Sequence, residues 1–370
     1  MKKIILVIGA RPNFIKVARL IPELKRYFNI KVYHTEQHKN KEMSQDFLRL
    51  FKIKVDDWAN LDDAMSHSWG GRFGDIMSQF QHYCRKEKPD GVIVVGDVDS
   101  TSACSQAVKR LDSSIKLIHV ESGLRSFDMR MPEEINRIIT DRLSDIKFVT
   151  DPIGIKNLLD EGICLNGVDT FWVGNTMIDT LRYYIHKVPI NVIDGFLITL
   201  HRPDNVDNKK RLLSILDAIE ECIEDKDLEA VFPVHPRTAE ILKGVANNRW
   251  GCIKLVKPFS YLEMQGALKD CLLCISDSGG LQEEARYWST PIITIRKETE
   301  RPITCYDNTN VMAYAPKDIS YYLDLFFGKG VDWESKYNSY YANYRSLDRT
   351  KFEWNNNASR EIAEILKEKL

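Results

Sequence analysis

Short apolar runs alternate with helical repeats along most of the chain. "KIILVIG", "IKVYHT", "GVIVVGD", "IKLIHVES" and "IKFVT" are rich in Val, Ile and Leu. Between them lie "NFIKVARLIPELKRYF", "KEMSQDFLRLF", "DIMSQFQHYCRKEK", "STSACSQAVKRL" and "EEINRIITDRLS", with apolar residues at helical spacing. Strands apolar on both faces, separated by amphipathic helices, predict a parallel sheet covered on both sides.

The pattern then restarts. "FLITL", "AVFPVH", "IKLVKP", "CLLCIS" and "PIITIR" predict strands, and "KKRLLSILDAIEECIE", "TAEILKGVA", "YLEMQGALKD" and "LQEEARYW" predict helices. The junction falls around 175–195. The expected fold class is α/β, with two Rossmann-like doubly wound domains spanning 1–180 and 181–355. The polar helix "ASREIAEILKEKL", within 356–370, is expected to pack back on the first domain. Two such units favour a ligand between them, at the carboxyl ends of the strands.

Composition narrows the partners. At 370 residues the chain suits two domains. A net charge of −1 gives no broad basic field for nucleic acid or an anionic membrane. The apolar start "IILVIG" is too short for a membrane span and is closely followed by Arg11 and Lys16. Eight scattered cysteines suit a reducing, cytoplasmic location. Cys271 and Cys274 form a C-x-x-C, but inside "CLLCIS" they are expected to pack as small hydrophobes. No second pair completes a metal site.

Candidate chemistry gathers just after the strands. Arg11 and Lys16 follow the first, Asp97 and Asp99 follow "GVIVVG", and Glu121, Arg125, Asp128, Glu133, Glu134 and Arg137 follow "IKLIHV". In the second half, His201 and Arg202 follow "FLITL", His235 and Arg237 follow "AVFPV", and Arg296, Glu300 and Arg301 follow "PIITI". Singly, each has a plain structural explanation as a cap or a solvated charge. Together they place carboxylates in the first half and Arg/His groups in the second, an inventory for acid/base work on an anionic ligand. "DSGGLQEEA" puts two glycines between a strand and a helix. Bare backbone there serves either a tight turn or an anion held at a helix N-terminus.

Seven segments, "GARPNFIK", "GDVDST", "HVESGLRSFDMRMPEEINR", "TLHRPDNVDN", "FPVHPRT", "SDSGGLQEE" and "TERPIT", resemble the non-hydrolysing UDP-N-acetylglucosamine 2-epimerase family in order and spacing, from about residue 4 to about residue 311. The resemblance implies a GT-B-like fold with the active site in the cleft between the domains, and interconversion of UDP-GlcNAc and UDP-ManNAc. UDP is expelled to leave 2-acetamidoglucal and then adds back, with no metal and no other cofactor. It also implies a homodimer. By motif, Asp97, Glu121 and Glu133 match the acid/base carboxylates. His201 and Arg11 would face the diphosphate, Ser278, Gly279 and Gly280 would hold it, and Glu284 would hold the ribose. Arg301 would lie near the sugar, and Lys16 and Arg125 join the UDP-sugar contacts. Gln37 and His38 match part of an allosteric site found in bacterial members. Glu36 stands where the family often has glycine, and "MSHSWGGRFGDIM" is unlike the usual family text. These departures leave room for a modified UDP-sugar, such as a 2,3-diacetamido uronic acid or a 6-deoxy sugar. A GT-B glycosyltransferase is a further alternative.

Overall fold

The computed structural model describes residues 1–37, 41–61, 68–164, 169–224, 228–245, 249–306, 309–327, 354 and 357–370. Two compact units emerge, Met1–Tyr184 with Phe352–Leu370, and Ile185–Lys351.

The first unit is built on a seven-stranded sheet. Its strands are β1 (Lys3–Ile8), β2 (Asn29–His34), β3 (Asp57–Trp58), β4 (Gly91–Val95), β5 (Lys116–Ser122), β6 (Ile146–Val149) and β7 (Asp169–Trp172). Their order is β3-β2-β1-β4-β5-β6-β7, and every pairing is parallel. The second unit carries β8 (Phe196–Thr199), β9 (Ala230–Pro233), β10 (Ile253–Val256), β11 (Leu273–Ser276), β12 (Ile292–Thr294) and β13 (Asn310–Met312). Their order is β10-β9-β8-β11-β12-β13, again all parallel. In each sheet the strand order reverses once, between β1 and β4 and between β8 and β11. Doubly wound sheets bind ligands beyond the carboxyl ends of the strands at that reversal.

The burial follows from the two-sided cover. Ile4, Ile5, Leu6 and Ile8 of β1 are fully buried, as are Val92, Ile93 and Val94 of β4. In the second unit Phe196, Ile198, Ile275 and Ile293 join the core with Leu212, Ile215, Leu216 and Ile219 of the helix Lys209–Ile223.

Three local departures from the pattern have physical causes. The helix expected over "NFIKVARLIPELKRYF" is two, Arg11–Ala18 and Leu20–Leu24. Pro22 cannot donate to the turn before it, and its ring crowds the carbonyl four residues back. The helix expected from Asp75 begins six residues earlier, at Trp69, despite Gly70, Gly71 and Gly74. The Ser68 hydroxyl accepts from the Gly71 N–H and caps it. Strands β7 and β13 escape the apolar pattern because "DTFW" and "NVM" are short and only partly buried.

Candidate active site

At the first reversal, the chain leaves β1 through Gly9 and Ala10. Their N–H groups donate to Asn13 Oδ1, whose Nδ2 donates to the Val95 carbonyl at the end of β4. One buried asparagine thus ties the two diverging strand ends. The helix that follows exposes Arg11 and turns Lys16 inward. Lys16 Nζ lies 2.7 Å from Glu121 Oε1, with both side chains about 5% exposed or less. Gly96 makes room for it. A Cβ at Gly96 would stand 2.9 Å from Lys16 Nζ, and its φ of +68° suits glycine.

Glu121 occupies a bulge where the β5–β6 register shifts between Val120 and Ser122. Its φ is +71°, a left-handed conformation that costs a non-glycine residue on the order of 1 kcal/mol. Bulges re-aim side chains, and here the result is a carboxylate held against Lys16. Asp97, just past β4, accepts from Arg137 Nη2 at 2.5 Å. Arg137 also donates to Glu134, which accepts the N–H groups of Ser126 and Phe127. Glu133 lies half-buried in the first turn of the same helix, Pro132–Leu143. The structure therefore brings Lys16 to Glu121, and ties Asp97 to the helix that carries Glu133.

Arg125 sits differently. Its Nε and Nη2 clasp Glu161, and Nη1 donates to Asp141 and the Leu124 carbonyl, with the side chain 1% exposed. Gln37 Oε1 accepts from the N–H and hydroxyl of Ser100. Glu36 takes a left-handed φ of +50°, the conformation a glycine adopts without cost. His38 lies outside the described residues.

At the second reversal, the buried Asp277 follows β11 and accepts from the backbone N–H groups of His201 and Arg202 and from Asn205 Nδ2. His201 Nδ1 stands 3.2 Å from Asp277 Oδ1, while half of the ring side chain faces solvent. Ser278 caps the helix Gly279–Trp288 by accepting from Leu281 N–H. A methyl at Gly279 would lie 2.6 Å from Glu300 Oε1 and 2.9 Å from Arg301 Nη1. Arg301 is buried against this loop. It donates from Nε to Glu283 at 2.8 Å and from Nη1 to Glu300, which is also paired to Arg296. On the same helix, Glu284 is buried. Desolvation pushes its carboxyl up to about 7, with Glu283 adding to the rise and Gln265 and Tyr261 opposing it.

All eight cysteines are free thiols. Burial raises both Cys271 and Cys274, so neither is a ready nucleophile. Among the described residues, no cluster of three or more His, Cys, Asp or Glu is arranged to hold a metal ion, and no helix is long and apolar enough to cross a membrane.

A sequence profile of the family described as UDP-N-acetylglucosamine 2-epimerase matches residues 22–367. The chain belongs to this family. A UDP-N-acetylglucosamine 2-epimerase of Methanococcus maripaludis is 35% identical over 359 residues, covering 91% of this chain and 95% of that one. A UDP-2,3-diacetamido-2,3-dideoxy-D-glucuronate 2-epimerase of Pseudomonas aeruginosa is 37% identical over 327 residues, covering 86% and 90%. The crystal structure of the Methanocaldococcus jannaschii UDP-GlcNAc 2-epimerase in complex with UDP-GlcNAc and UDP superimposes with a TM-score of 0.81, at 32% identity and 99% coverage of both chains. The two parallel α/β units are thus the GT-B-like architecture of the 2-epimerases.

Several groups that support the candidate site are not apparent in the sequence. Asn13, Asp277, His119 and Asp141 lie outside the candidates that the sequence offers, and Arg137 and Glu134 stand there only as charges after a strand. One signal was available. Glu134, Arg137 and Asp141 recur at helical spacing, with Asn136 and Thr140 beside them, and all five are buried. A polar helix face of that kind points inward to partners.

Proposed function

We propose that this chain is a UDP-GlcNAc 2-epimerase, inverting C2 to interconvert UDP-GlcNAc and UDP-ManNAc. The C2 hydrogen is not acidic, because the neighbouring anomeric carbon is no carbonyl. Loss of that hydrogen is therefore coupled to departure of UDP from C1, giving 2-acetamidoglucal, which is reprotonated from the other face before UDP returns. This needs acid/base groups at C2 and cations or donors at the departing diphosphate.

The observation that carries the reading is the arrangement at the first reversal. A bulged, left-handed Glu121 is held by Lys16, and Asp97 is anchored by Arg137 to the helix that bears Glu133. Asp97, Glu121 and Glu133 are assigned the proton transfers. Ser278, Gly279 and Gly280 are assigned the diphosphate, received by the N–H groups of the ten-residue helix Gly279–Trp288. His201, oriented through Nδ1 by Asp277, and the exposed Arg11 stabilise the leaving group. Glu284 is assigned the ribose hydroxyls. Arg301 is assigned to the sugar side of the loop, and Gln37 stays a candidate allosteric contact. Arg125, engaged by Glu161 and Asp141, is assigned to the scaffold rather than to the sugar nucleotide. Cytoplasmic location, a homodimer and the absence of any cofactor belong to the same proposal. The free cysteines favour the location.

A glycosyltransferase would need the UDP site without this carboxylate cluster. The test is incubation with UDP-GlcNAc in D2O, followed by NMR. Solvent deuterium is expected at C2 of the product, with traces of 2-acetamidoglucal and UDP on long incubation. Retention of the original C2 hydrogen in epimerised sugar sinks the mechanism. Turnover confined to the 2,3-diacetamido uronic acid nucleotide transfers the reading to that substrate.

A further inference from the structure

Glu121 is strained and buried, so something must hold the backbone on either side of it. The residues that flank it converge on one carboxylate. Asp141 accepts from His119 Nδ1 at 2.7 Å, from the Ser122 hydroxyl, from Gly123 N–H at 3.1 Å and from Arg125 Nη1 at 2.7 Å. The side chains of His119 and Asp141 are both wholly buried. His119 Nε2 is 2.9 Å from the carbonyl oxygen of Gly96, the residue before Asp97. Burial by itself would raise the Asp141 carboxyl, but His119, then Arg125 and Ser122, hold it well below the usual carboxylate range. The imidazole ring thus bridges the Asp141 carboxylate and the Gly96 carbonyl.

We propose that Asp141 is a positioning residue for C2 proton transfer: through His119, Ser122, Gly123 and Arg125 it fixes the left-handed bulge that aims Glu121, and through His119 it ties that bulge to the Gly96–Asp97 turn. The inference rests on the assignment of Glu121 as an acid/base group. A scaffold alone would not require one carboxylate to bind residues at −2, +1, +2 and +4 from Glu121 while its bridging histidine reaches the second carboxylate's turn. Asp141 sits on the helix that also bears Glu133, Glu134 and Arg137. One helix therefore sets the backbone on which Asp97 and Glu121 are mounted.

The test uses the full chain and three readouts. Asp141→Asn keeps the shape but puts an N–H₂ where donors converge. Its kcat for C2 deuterium exchange is expected to fall on the order of 10²-fold, as a small misplacement of a reacting group costs. KM for UDP-GlcNAc and the affinity for UDP should stay at wild-type values. Ser122→Ala removes one contact with little risk to folding, and is expected to lower kcat about tenfold by the same route. The third readout needs no activity. In wild type labelled with 15N-histidine, His119 Nδ1 should show a hydrogen bond to Asp141, and Asp141→Asn should alter that resonance. Wild-type kcat in either folded variant overturns the proposal, as does an equal loss of kcat and UDP affinity, the mark of general damage. If Asp141→Asn does not fold, Ser122→Ala and the wild-type ring spectrum decide, and a His119 Nδ1 without a hydrogen bond overturns the wiring. A wild type that exchanges no C2 hydrogen defeats the proposed function instead, and the ring spectrum still judges the wiring on its own.

Discussion

Glu284 is a carboxylate whose burial sets a cost on its charge. An ordinary glutamate ionises near 4.5, and this one is pushed up to about 7 by burial. Below about 4.5 the carboxyl is protonated in both the folded and unfolded chain, and the group has no effect. As pH rises to about 7 the unfolded chain ionises first, so the folded state loses stability over that window. Above it the full penalty stands, roughly 3 kcal/mol for a shift of this size. Glu284→Gln keeps the side chain's shape without the charge. Its Tm should therefore lie near or below that of the wild type at pH 5 and clearly above it at pH 8, measured without ligand. With Glu284 holding the ribose as proposed, saturating UDP should shrink the pH dependence in wild type, because hydroxyls donating to the carboxylate would replace the solvation that burial removes. A Tm difference that is the same at both pH values would remove Glu284 as the seat of the effect.

At the scale of the element, the first two residues of the helix Gly279–Trp288 are both glycine. Gly279 is hemmed in by Glu300 and Arg301 at 2.6 and 2.9 Å from where a methyl would stand. Gly280 is the next residue of the same first turn, whose N–H groups would face the diphosphate. Gly279→Ala is expected to cost about 1–3 kcal/mol through overpacking, and to weaken UDP binding as well. Gly280→Val should weaken UDP binding while leaving Tm nearly unchanged. Calorimetric titration with UDP beside a thermal melt separates the two, and unaltered UDP affinity in folded Gly280→Val would reduce these glycines to a turn. The sequence made this loop legible, because strand, small residues and helix formers follow one another without interruption. The strands of both sheets were legible for the same reason, as buried parallel strands are apolar on both faces. What supports the site was not. The motif marks Glu121, but nothing local marks its bulge or its φ of +71°. Arg125 stands among charged residues after a strand, and nothing near it marks Glu161, 36 positions away, as its partner. Pairings of that range are set by the sheet and not by neighbours in the chain.

At the scale of the whole molecule, the chain visits the first unit twice. After the second unit, the helix Ala358–Lys369 belongs to the first again, packing on the helices Leu20–Leu24 and Thr176–Tyr184. Its apolar stripe Ala358, Ile362, Ala363 and Leu366 is fully buried. Ser359 N–H donates to Asp179 at 2.6 Å, and Lys369 pairs with Asp169 at 2.8 Å. Asp169 opens the edge strand β7, so the helix braces the last strand of the sheet as well as two helices. Burying Ile362 and Leu366 alone contributes about 1.5–3 kcal/mol each. Removing residues 357–370 should therefore loosen the first unit by several kcal/mol of local stability and leave the second intact. With the proposed diphosphate loop in the second unit and the proposed acid/base carboxylates in the first, UDP should still bind while epimerisation fails. Segment-resolved hydrogen exchange with a UDP titration checks this. Undiminished protection of Leu20–Leu24 and Thr176–Tyr184 in the truncated chain would show that the returning helix is dispensable to the unit it rejoins.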